Sequence, residues 1–265
     1  MPDSVLFPGR FRDLADVYAA GRPTYPPLLA RRVATLVGLD GRQDVLDLGT
    51  GPGFLALDFH PYARRVTGID PEPEMLRVAR AAAAAAAARI DFVEGSSNDL
   101  GRHPGLFRLV TIGRAFHWMD RPRTLAALDD IIDPQGGVAL FVERYPEVPA
   151  NAWHVPFQAV IERYAVTDPA REVLASGKDH EAVLLASAFS HLERIAVLER
   201  RATPVQRLVD RALSFAKAWQ GHPGSRRDDL AGEIRSVLQG FAEDGIVHEV
   251  LEGTALIARR PGAVS

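Results

Sequence analysis

An apolar run that leads directly into a glycine-rich turn is the feature that most constrains the fold of this chain. Val45-Leu46-Asp47-Leu48 is typical of a buried β-strand, Gly49-Thr50-Gly51-Pro52-Gly53 follows it at once, and residues 54–57 are apolar and suit a helix. Glycine permits positive φ and lets a ligand approach the backbone closely. The unit therefore predicts a strand–turn–helix of the nucleotide-binding type in an α/β fold.

The segment from Asp44 to Phe141 alternates short apolar runs with longer helical stretches, which predicts a parallel sheet covered by helices. A helix is predicted from Glu72 to Arg89, because the alanines in this stretch have the highest helix propensity. The predicted strands are Val45–Leu48, Val66–Ile69, Ile90–Val93, Leu109–Ile112 and Val138–Val142.

The pattern changes after Glu143. Residues 144–190 begin with a proline-containing stretch and continue with a helical pattern over residues 152–189. We expect residues 144–190 to form a helical insertion, or lid, within a single domain that spans residues 1–265.

The C-terminal part of the chain mixes both periodicities. Two amphipathic stripes, Leu208 to Trp219 and Leu230 to Phe241, predict helices that each bury one face. A strand is predicted at Ile195 to Leu198. Gly245 to Arg259 predicts a terminal strand or hairpin, with its turn at Gly253.

Composition narrows the class of protein. With 47% apolar and 25% charged residues in 265, the chain resembles an ordinary soluble globular protein, and no apolar run is long enough to cross a bilayer. The N-terminus lacks a secretory pattern, so a cytoplasmic location is expected. Cysteine is absent, which excludes disulfides, thiolate metal sites and a cysteine nucleophile. The net charge of -3 gives no bulk attraction for nucleic acid.

The glycines alone leave two cofactor classes open, because Gly51 to Ala56 also fits the dinucleotide pattern G-x-G-x-x-A. Asp47 stands two residues before the first glycine, where it would repel a pyrophosphate. S-adenosylmethionine has no phosphate, and its ammonium and sulfonium would be attracted by this acid directly or through the amides of the turn. Asp70 ends the next predicted strand, where either cofactor would find an acid for its ribose hydroxyls.

At these residues the chain resembles the class I S-adenosylmethionine-dependent methyltransferases, in particular a small-molecule branch with ubiquinone-type and trans-aconitate-type enzymes. Asp47 to Gly53 resembles the family's first motif, D-x-G-x-G-x-G, and Asp70, Pro71 and Met75 resemble its ribose acid and adenine-side residues. The resemblance covers about residues 11–142. It implies a Rossmann-like, doubly wound, mostly parallel seven-stranded sheet, with helices on both faces and an antiparallel C-terminal strand.

Three further segments extend the resemblance. Glu94 to Leu100 is similar to the adenine-binding segment, although Ser96 stands where an acid commonly follows the glycine. Tyr18 to Pro26 resembles an element that would bring Tyr18 and Arg22 to the methionine carboxylate; a proline-rich helix entry with the arginine in solvent is the alternative. Leu109 to Trp118 resembles the fourth strand and its exit. The cofactor-binding residues implied in this way are Tyr18, Arg22, Asp47, Gly49, Thr50, Gly51, Gly53, Asp70, Pro71, Met75, Ser96, Ser97, Gly113 and Arg114.

Methyl transfer needs an aligned nucleophile and, where that nucleophile is protonated, a base. His117 is the candidate catalytic base, because it follows a predicted strand and titrates near neutrality; a structural role beside Trp118 stays open. Trp118, Trp153 and His154 are candidate substrate contacts. We expect no metal site, since the ends of the fourth and fifth strands do not offer a set of acids.

The leading hypothesis is a transfer of methyl from S-adenosylmethionine to an oxygen, nitrogen or carboxylate, and less readily to carbon, of a small metabolite or natural-product intermediate. We expect a monomer or homodimer, with no nucleic-acid or membrane partner. An NAD-dependent oxidoreductase is one alternative, favoured by Gly51 to Ala56. The other is a non-catalytic S-adenosylmethionine-binding protein, favoured by the departures from the family pattern at Ser96 and Arg108.

Overall fold

A computed structural model describes residues 12–102, 105–165, 180–215 and 224–263. The strands are β1 (Asp44–Leu48), β2 (Arg65–Asp70), β3 (Ile90–Glu94), β4 (Phe107–Gly113), β5 (Ile132–Arg144), β6 (His191–Pro204) and β7 (Ile246–Arg259). The helices of the described residues are α1 (Ala15–Gly21), α2 (Pro27–Leu36), α3 (Phe54–Phe59), α4 (Pro73–Ala85), α5 (Arg121–Asp129), α6 (His154–Tyr164), α7 (His180–Leu185), α8 (Val205–Leu213) and α9 (Gly224–Gln239).

The strands form one seven-stranded sheet in the order β3-β2-β1-β4-β5-β7-β6. Strand β7 is antiparallel to both of its neighbours, and the other adjacent pairs are parallel. The doubly wound, mostly parallel sheet with an antiparallel C-terminal strand is therefore confirmed. The strand order reverses between β1 and β4, and the carboxyl ends of such strands border the crevice in which open α/β sheets bind ligands.

The central strands are buried on both faces, because successive side chains of a strand point to opposite sides. In β1, Val45 packs into an apolar cluster with α2 and α3, whereas Leu46 packs into a second cluster with α5 and α7. Both side chains are 0% exposed. Helices therefore cover the two faces of the sheet and leave the carboxyl edge of the strands for the loops.

The predicted strand near the C-terminus is confirmed as β7, but the predicted turn at Gly253 is wrong. Gly253 lies within β7 and pairs with Glu143 on one side and Val197 on the other. A Cβ atom at Gly253 would lie 2.4 Å from Cδ of Pro26. Gly253 lacks a side chain because Pro26 packs against the strand at this position. A glycine required by packing was therefore mistaken for a glycine required by a turn.

The described helices between residues 144 and 190 pack in two different places. Helix α6 joins α8 and α9 in an apolar cluster that contains Trp153 and Phe157, whereas α7 packs beside α5 through Val183 and Leu184. Any lid over the carboxyl edge would therefore be built from α6 together with helices that follow β6. Within the described ranges, no helix combines the length and the hydropathy that crossing a membrane requires.

The second predicted amphipathic stripe is only partly confirmed. Leu230, Ile234 and Leu238 are buried in α9, but Phe241 follows the end of the helix and is 40% exposed. Trp219, the end of the first stripe, lies outside the described residues.

Helix α1 packs so closely on α8 that Gly21 should not tolerate a side chain. A Cβ atom at Gly21 would lie 2.3 Å from the backbone nitrogen of Arg211. We expect Gly21→Ala to lower the free energy of unfolding by about 3 kcal/mol, because two backbones would have to separate. Urea unfolding followed by circular dichroism measures the change.

Gly232 in α9 provides the matched control, since a Cβ atom there would have no atom within 4 Å. At this position, Gly232→Ala should raise stability by up to about 1 kcal/mol through helix propensity. Equal stability of the Gly21→Ala variant and the wild type would contradict the close helix packing.

Candidate functional site

The turn after β1 needs its glycines. Gly49, Gly51 and Gly53 have φ values of 71°, 53° and 85°. A Cβ atom at Gly49 would lie 2.5 Å from Cβ of Ala115, so the turn also packs tightly against the exit of β4. No atom lies within 4 Å of the corresponding position at Gly51. The turn is therefore anchored at its first glycine and leaves open space at its second, where a ligand can approach the backbone.

Asp47 lies beneath this turn and is 1% exposed. One carboxylate oxygen accepts hydrogen bonds from Oγ1 of Thr50 at 2.6 Å and the amide of Ala56 at 3.1 Å, and the other accepts from Oγ1 of Thr111 at 2.8 Å. Burial raises the pKa of Asp47 to about 6. Of the two ways in which this acid could act on a ligand, these contacts favour the indirect one, through the turn that it holds.

Asp70 lies at the carboxyl end of β2, beside the same turn. Its Oδ2 accepts a hydrogen bond from the amide of Gly51 at 2.8 Å, and its Oδ1 accepts one from the amide of Glu72 at 2.9 Å. Burial raises the pKa of Asp70 to about 6. A pyrophosphate would have to compete with this carboxylate for the Gly51 amide, which argues against a dinucleotide at this turn.

The structure brings seven of the predicted cofactor residues to the wall of one cavity between the turn, the N-terminal segment and the exit of β4. Tyr25, Pro52, Phe54 and Leu55 complete this wall and were not predicted. The hydroxyl of Tyr25 donates to the carbonyl oxygen of Phe141 at 3.3 Å. The predicted residues in the wall are Tyr18, Asp47, Gly49, Thr50, Gly51, Gly113 and Arg114.

Arg114 contributes a half-buried cation to this cavity. It adopts a φ of 56°, and its Nη1 lies 2.9 Å from Oε1 of Glu143, at the end of β5. Its guanidinium carbon lies 5.1 Å from the ring centroid of Tyr25 and 5.7 Å from that of Tyr18. Oε2 of Glu143 is buried and has no hydrogen-bond partner among the described residues. Glu143 was not predicted as a site residue, although its position directly after the predicted strand Val138–Val142 was a signal for it.

Arg22 is a second, half-buried cation that packs against aromatic rings, so the alternative of an arginine extended into solvent is wrong. Its guanidinium carbon lies 3.9 Å above the ring of Phe215 and 5.1 Å from that of Tyr18. Its Nε is buried without a hydrogen-bond partner in the described part of the chain. Burial lowers the pKa of Arg22. A half-buried guanidinium whose Nε has no partner is suited to bind a ligand carboxylate.

The predicted adenine-side residues follow β2 and β3. Met75 is 4% exposed, whereas Pro71 is exposed. The amide and hydroxyl of Ser96 both donate to Oδ2 of Asp99 at 3.0 Å, and Ser97 is half-buried beside them. Asp99 thus supplies a carboxylate to the loop in which the family carries an acid. The sequence signal was the spacing of three residues between a serine and an acid.

His117 and Trp118 lie in a short 3-10 turn immediately after β4, and their ring centroids are 4.8 Å apart. Both side chains are half-buried. The turn follows Ala115, the residue that contacts Gly49. His117 thus follows shortly after the alanine that packs against the glycine turn, at the carboxyl edge of the sheet.

Trp153 and His154 lie at the start of α6. Trp153 is 1% exposed and packs in the helical cluster, with its ring 5.4 Å from that of Tyr145. His154 is half-buried, its ring lies 4.6 Å from that of Tyr145, and burial lowers its pKa. Of the two predicted substrate contacts, only His154 keeps appreciable exposed surface. In the described ranges, no group of three or more His, Asp or Glu side chains is placed to hold a metal ion.

Residues 45–136 match the family model of the methyltransferase domain. The chain is 31% identical over 130 residues to an uncharacterized methyltransferase of Mycobacterium bovis, covering 49% of this chain and 50% of that protein. It is 32% identical over 126 residues to a ubiquinone biosynthesis O-methyltransferase of Xanthomonas campestris, covering 47% and 52%. The chain thus spans about half the length of the curated relatives it matches.

Solved structures share the fold. A protein of Anaeromyxobacter dehalogenans assigned as a type II methyltransferase superposes with a TM-score of 0.58 at 17% identity, covering 90% of this chain and 97% of that one. YcgJ of Bacillus subtilis gives 0.51 at 18% identity, covering 89% and 99%. The [4+2]-cyclase SpnF gives 0.54 at 16% identity, covering 98% and 97%. Because this fold accompanies more than one kind of reaction, the fold alone does not specify the chemistry.

The buried acids of the turn predict a pH dependence of stability. Burial raises the pKa of Asp47 to about 6, whereas an unfolded aspartate titrates near 3.9. The folded protein therefore binds this proton more tightly, and stability falls as the pH rises from about 4 to about 6. As the pH rises from about 4.5 to about 6.5, we expect the free energy of unfolding of Asp47→Asn to fall by about 2 kcal/mol less than that of the wild type. Urea unfolding at both pH values measures the difference.

Asp91→Asn is the control, because the side chain of Asp91 is 68% exposed on β3. Its unfolding free energy should follow the wild type across the same pH range. If the Asp47→Asn curve also runs parallel to the wild-type curve, Asp47 does not carry the raised pKa.

Proposed function

We propose that this chain, whose residues 45–136 match the methyltransferase-domain family model, is a class I S-adenosylmethionine-dependent methyltransferase that transfers a methyl group from S-adenosylmethionine to a small molecule. The observation that carries the proposal is the convergence of the glycine turn, Tyr18 and Arg114 on one cavity, with Asp70 and Arg22 beside it. These groups belong to segments that are far apart in the sequence.

The residues present fit the parts of this cofactor. The carboxylate of Asp70 would accept from the ribose hydroxyls, and the loop of Ser96 and Asp99 would meet the adenine amine. The unpaired guanidinium of Arg22 would take the methionine carboxylate, which matches its planar donor fork. Asp47 and Asp70 make the turn more compatible with a cationic ligand than with a pyrophosphate.

When bound, S-adenosylmethionine would supply an activated methyl group together with its own leaving group. The task of the chain is then to align the acceptor and, for an oxygen or nitrogen acceptor, to accept its proton. His117 is the proposed base because it follows β4 at the carboxyl edge of the sheet, shortly after Ala115, which packs against Gly49. A carboxylate acceptor is already ionised and would need no base. Transfer to carbon is the less favoured case.

The acceptor is proposed to be a small metabolite or natural-product intermediate. Trp118 and His154 are the proposed contacts, because both side chains keep exposed surface. Trp153, which is 1% exposed, would support His154 and Tyr145 and would touch the acceptor only after a movement of α6. The net charge of -3 favours a small molecule over nucleic acid.

The role of Arg22 can be tested with two ligands, S-adenosylhomocysteine and 5′-methylthioadenosine, of which only the first carries an amino-acid carboxylate. We expect Arg22→Gln to weaken binding of S-adenosylhomocysteine by about 30-fold, because a charge-assisted hydrogen bond is lost. Binding of 5′-methylthioadenosine, which lacks the carboxylate and the amine, should be unchanged. Isothermal titration calorimetry measures both affinities, and circular dichroism checks the fold.

The control is Arg32→Gln, which removes the same charge from an exposed position on α2. It should bind both ligands as the wild type does. Equal weakening of both ligands in Arg22→Gln would contradict the role of Arg22. Failure of the wild type to bind S-adenosylhomocysteine at millimolar concentrations would overturn the proposed function.

His117 is tested once the acceptor is known, for which a labelled-methyl assay over a metabolite panel with mass spectrometry of the product is suitable. With an oxygen or nitrogen acceptor, we expect His117→Ala to lower kcat by at least about 100-fold at neutral pH. The loss should shrink at high pH, where the acceptor deprotonates without help. His191→Ala, at an exposed histidine of β6, is the control. Unchanged turnover of His117→Ala at every pH would assign His117 a structural role.

A further inference from the structure

The segment Arg22–Pro26, which we call the strap, separates the glycine turn from a second cavity. The strap joins α1 to α2; Tyr25 lines the first cavity and Thr24 lines the second. The second cavity has a volume of about 290 Å³ and shares no lining residue with the first. Its charged lining residues are Glu199, Arg201, Arg207, Arg211 and Glu249.

The floor of this cavity is a buried ion pair. Glu249 is 1% exposed and Arg211 is 3% exposed. Both oxygens of Glu249 accept from the Arg211 guanidinium, at 3.0 and 3.3 Å, and Oε1 also accepts from Oγ1 of Thr203 at 2.7 Å. The other acid of the lining, Glu199, pairs with Arg201. The two carboxylates are thus neutralised by two arginines.

The third arginine leaves a surplus of positive charge. Arg207 is exposed in the first turn of α8 and has no carboxylate or hydrogen-bond partner among the described residues. Pro204 caps α8 without a side-chain hydrogen bond, so the first-turn amides after Val205 lack a capping acceptor. The start of α2, at Pro27, lies on the same cavity. The positive ends of two helices therefore add to the charge of Arg207.

We propose that this cavity binds a small anionic metabolite, with its phosphate or carboxylate group against Arg207 and the first-turn amides of α8. Arg201 and Arg211 would form the charged wall behind it. Both of these arginines also hold the N-terminal segment: Nη2 of Arg201 donates to the carbonyl of Thr24 at 2.9 Å, and Nε of Arg211 donates to that of Gly21 at 3.2 Å. The bound anion would lie against the strap that carries Arg22.

The test is calorimetric titration of the full chain with inorganic phosphate and, separately, with succinate, at an ionic strength held constant with sodium chloride. We expect saturable binding of at least one probe, and a loss of about tenfold in its affinity in Arg207→Gln, from one charge-assisted hydrogen bond. The tighter probe identifies the group that the site prefers. Arg207→Gln should bind S-adenosylhomocysteine as the wild type does, so failure of this proposal and failure of the proposed function are distinguishable.

Arg200→Gln is the matched control. Arg200 is the neighbour of Arg201 on β6, is exposed, and does not line the cavity. It should bind the probes with wild-type affinity. The proposal is overturned if neither probe binds saturably, or if both substitutions weaken binding equally, since the effect is then a general response to surface charge.

Discussion

The buried carboxylate of Asp47 is the interaction on which the site depends. Its hydrogen bonds join the glycine turn through Thr50, the start of α3 through Ala56, and the neighbouring strand β4 through Thr111. Burying a charge is costly, and the raised pKa of Asp47 reflects that cost. The three donors offset it only while the turn keeps its shape. The acid therefore couples the conformation of the turn to the packing of the sheet below it.

The N-terminal segment depends on a second set of contacts. Arginines from distant elements donate hydrogen bonds to three carbonyl oxygens in and next to the strap. Arg211 donates to Gly21, Arg114 to Pro23 and Arg201 to Thr24. These arginines come from α8, the exit of β4 and β6. The guanidinium group suits this task because it offers several donors in a fixed plane. The contacts place Arg22 and Tyr25 beside the glycine turn and Thr24 beside the second cavity.

The matched span, residues 45–136, covers most of the donor side of the proposed reaction, with Tyr18 and Arg22 before it, and much of the acceptor side lies after it. Residues 45–136 contain the glycine turn, Asp70 and His117, whereas α6, α8 and α9 follow that span. Helix α6 carries His154 and packs with α8 and α9 in one apolar cluster. Specificity for an acceptor would reside in such added elements, because the sheet mainly positions the donor.

The sequence by itself determined the strands of the sheet, the glycine turn, and Asp47 and Asp70 at strand ends. These are local signals: side chains alternate along a strand, and only glycine adopts positive φ easily. The tertiary structure decided how segments that are far apart in the sequence pack against and pair with one another. It placed Gly253 inside β7 with Pro26 packed against it, and it packed Arg22 over Phe215 without a partner for Nε among the described residues. Burial and pairing depend on atoms that meet only in the fold, so no local pattern contains them.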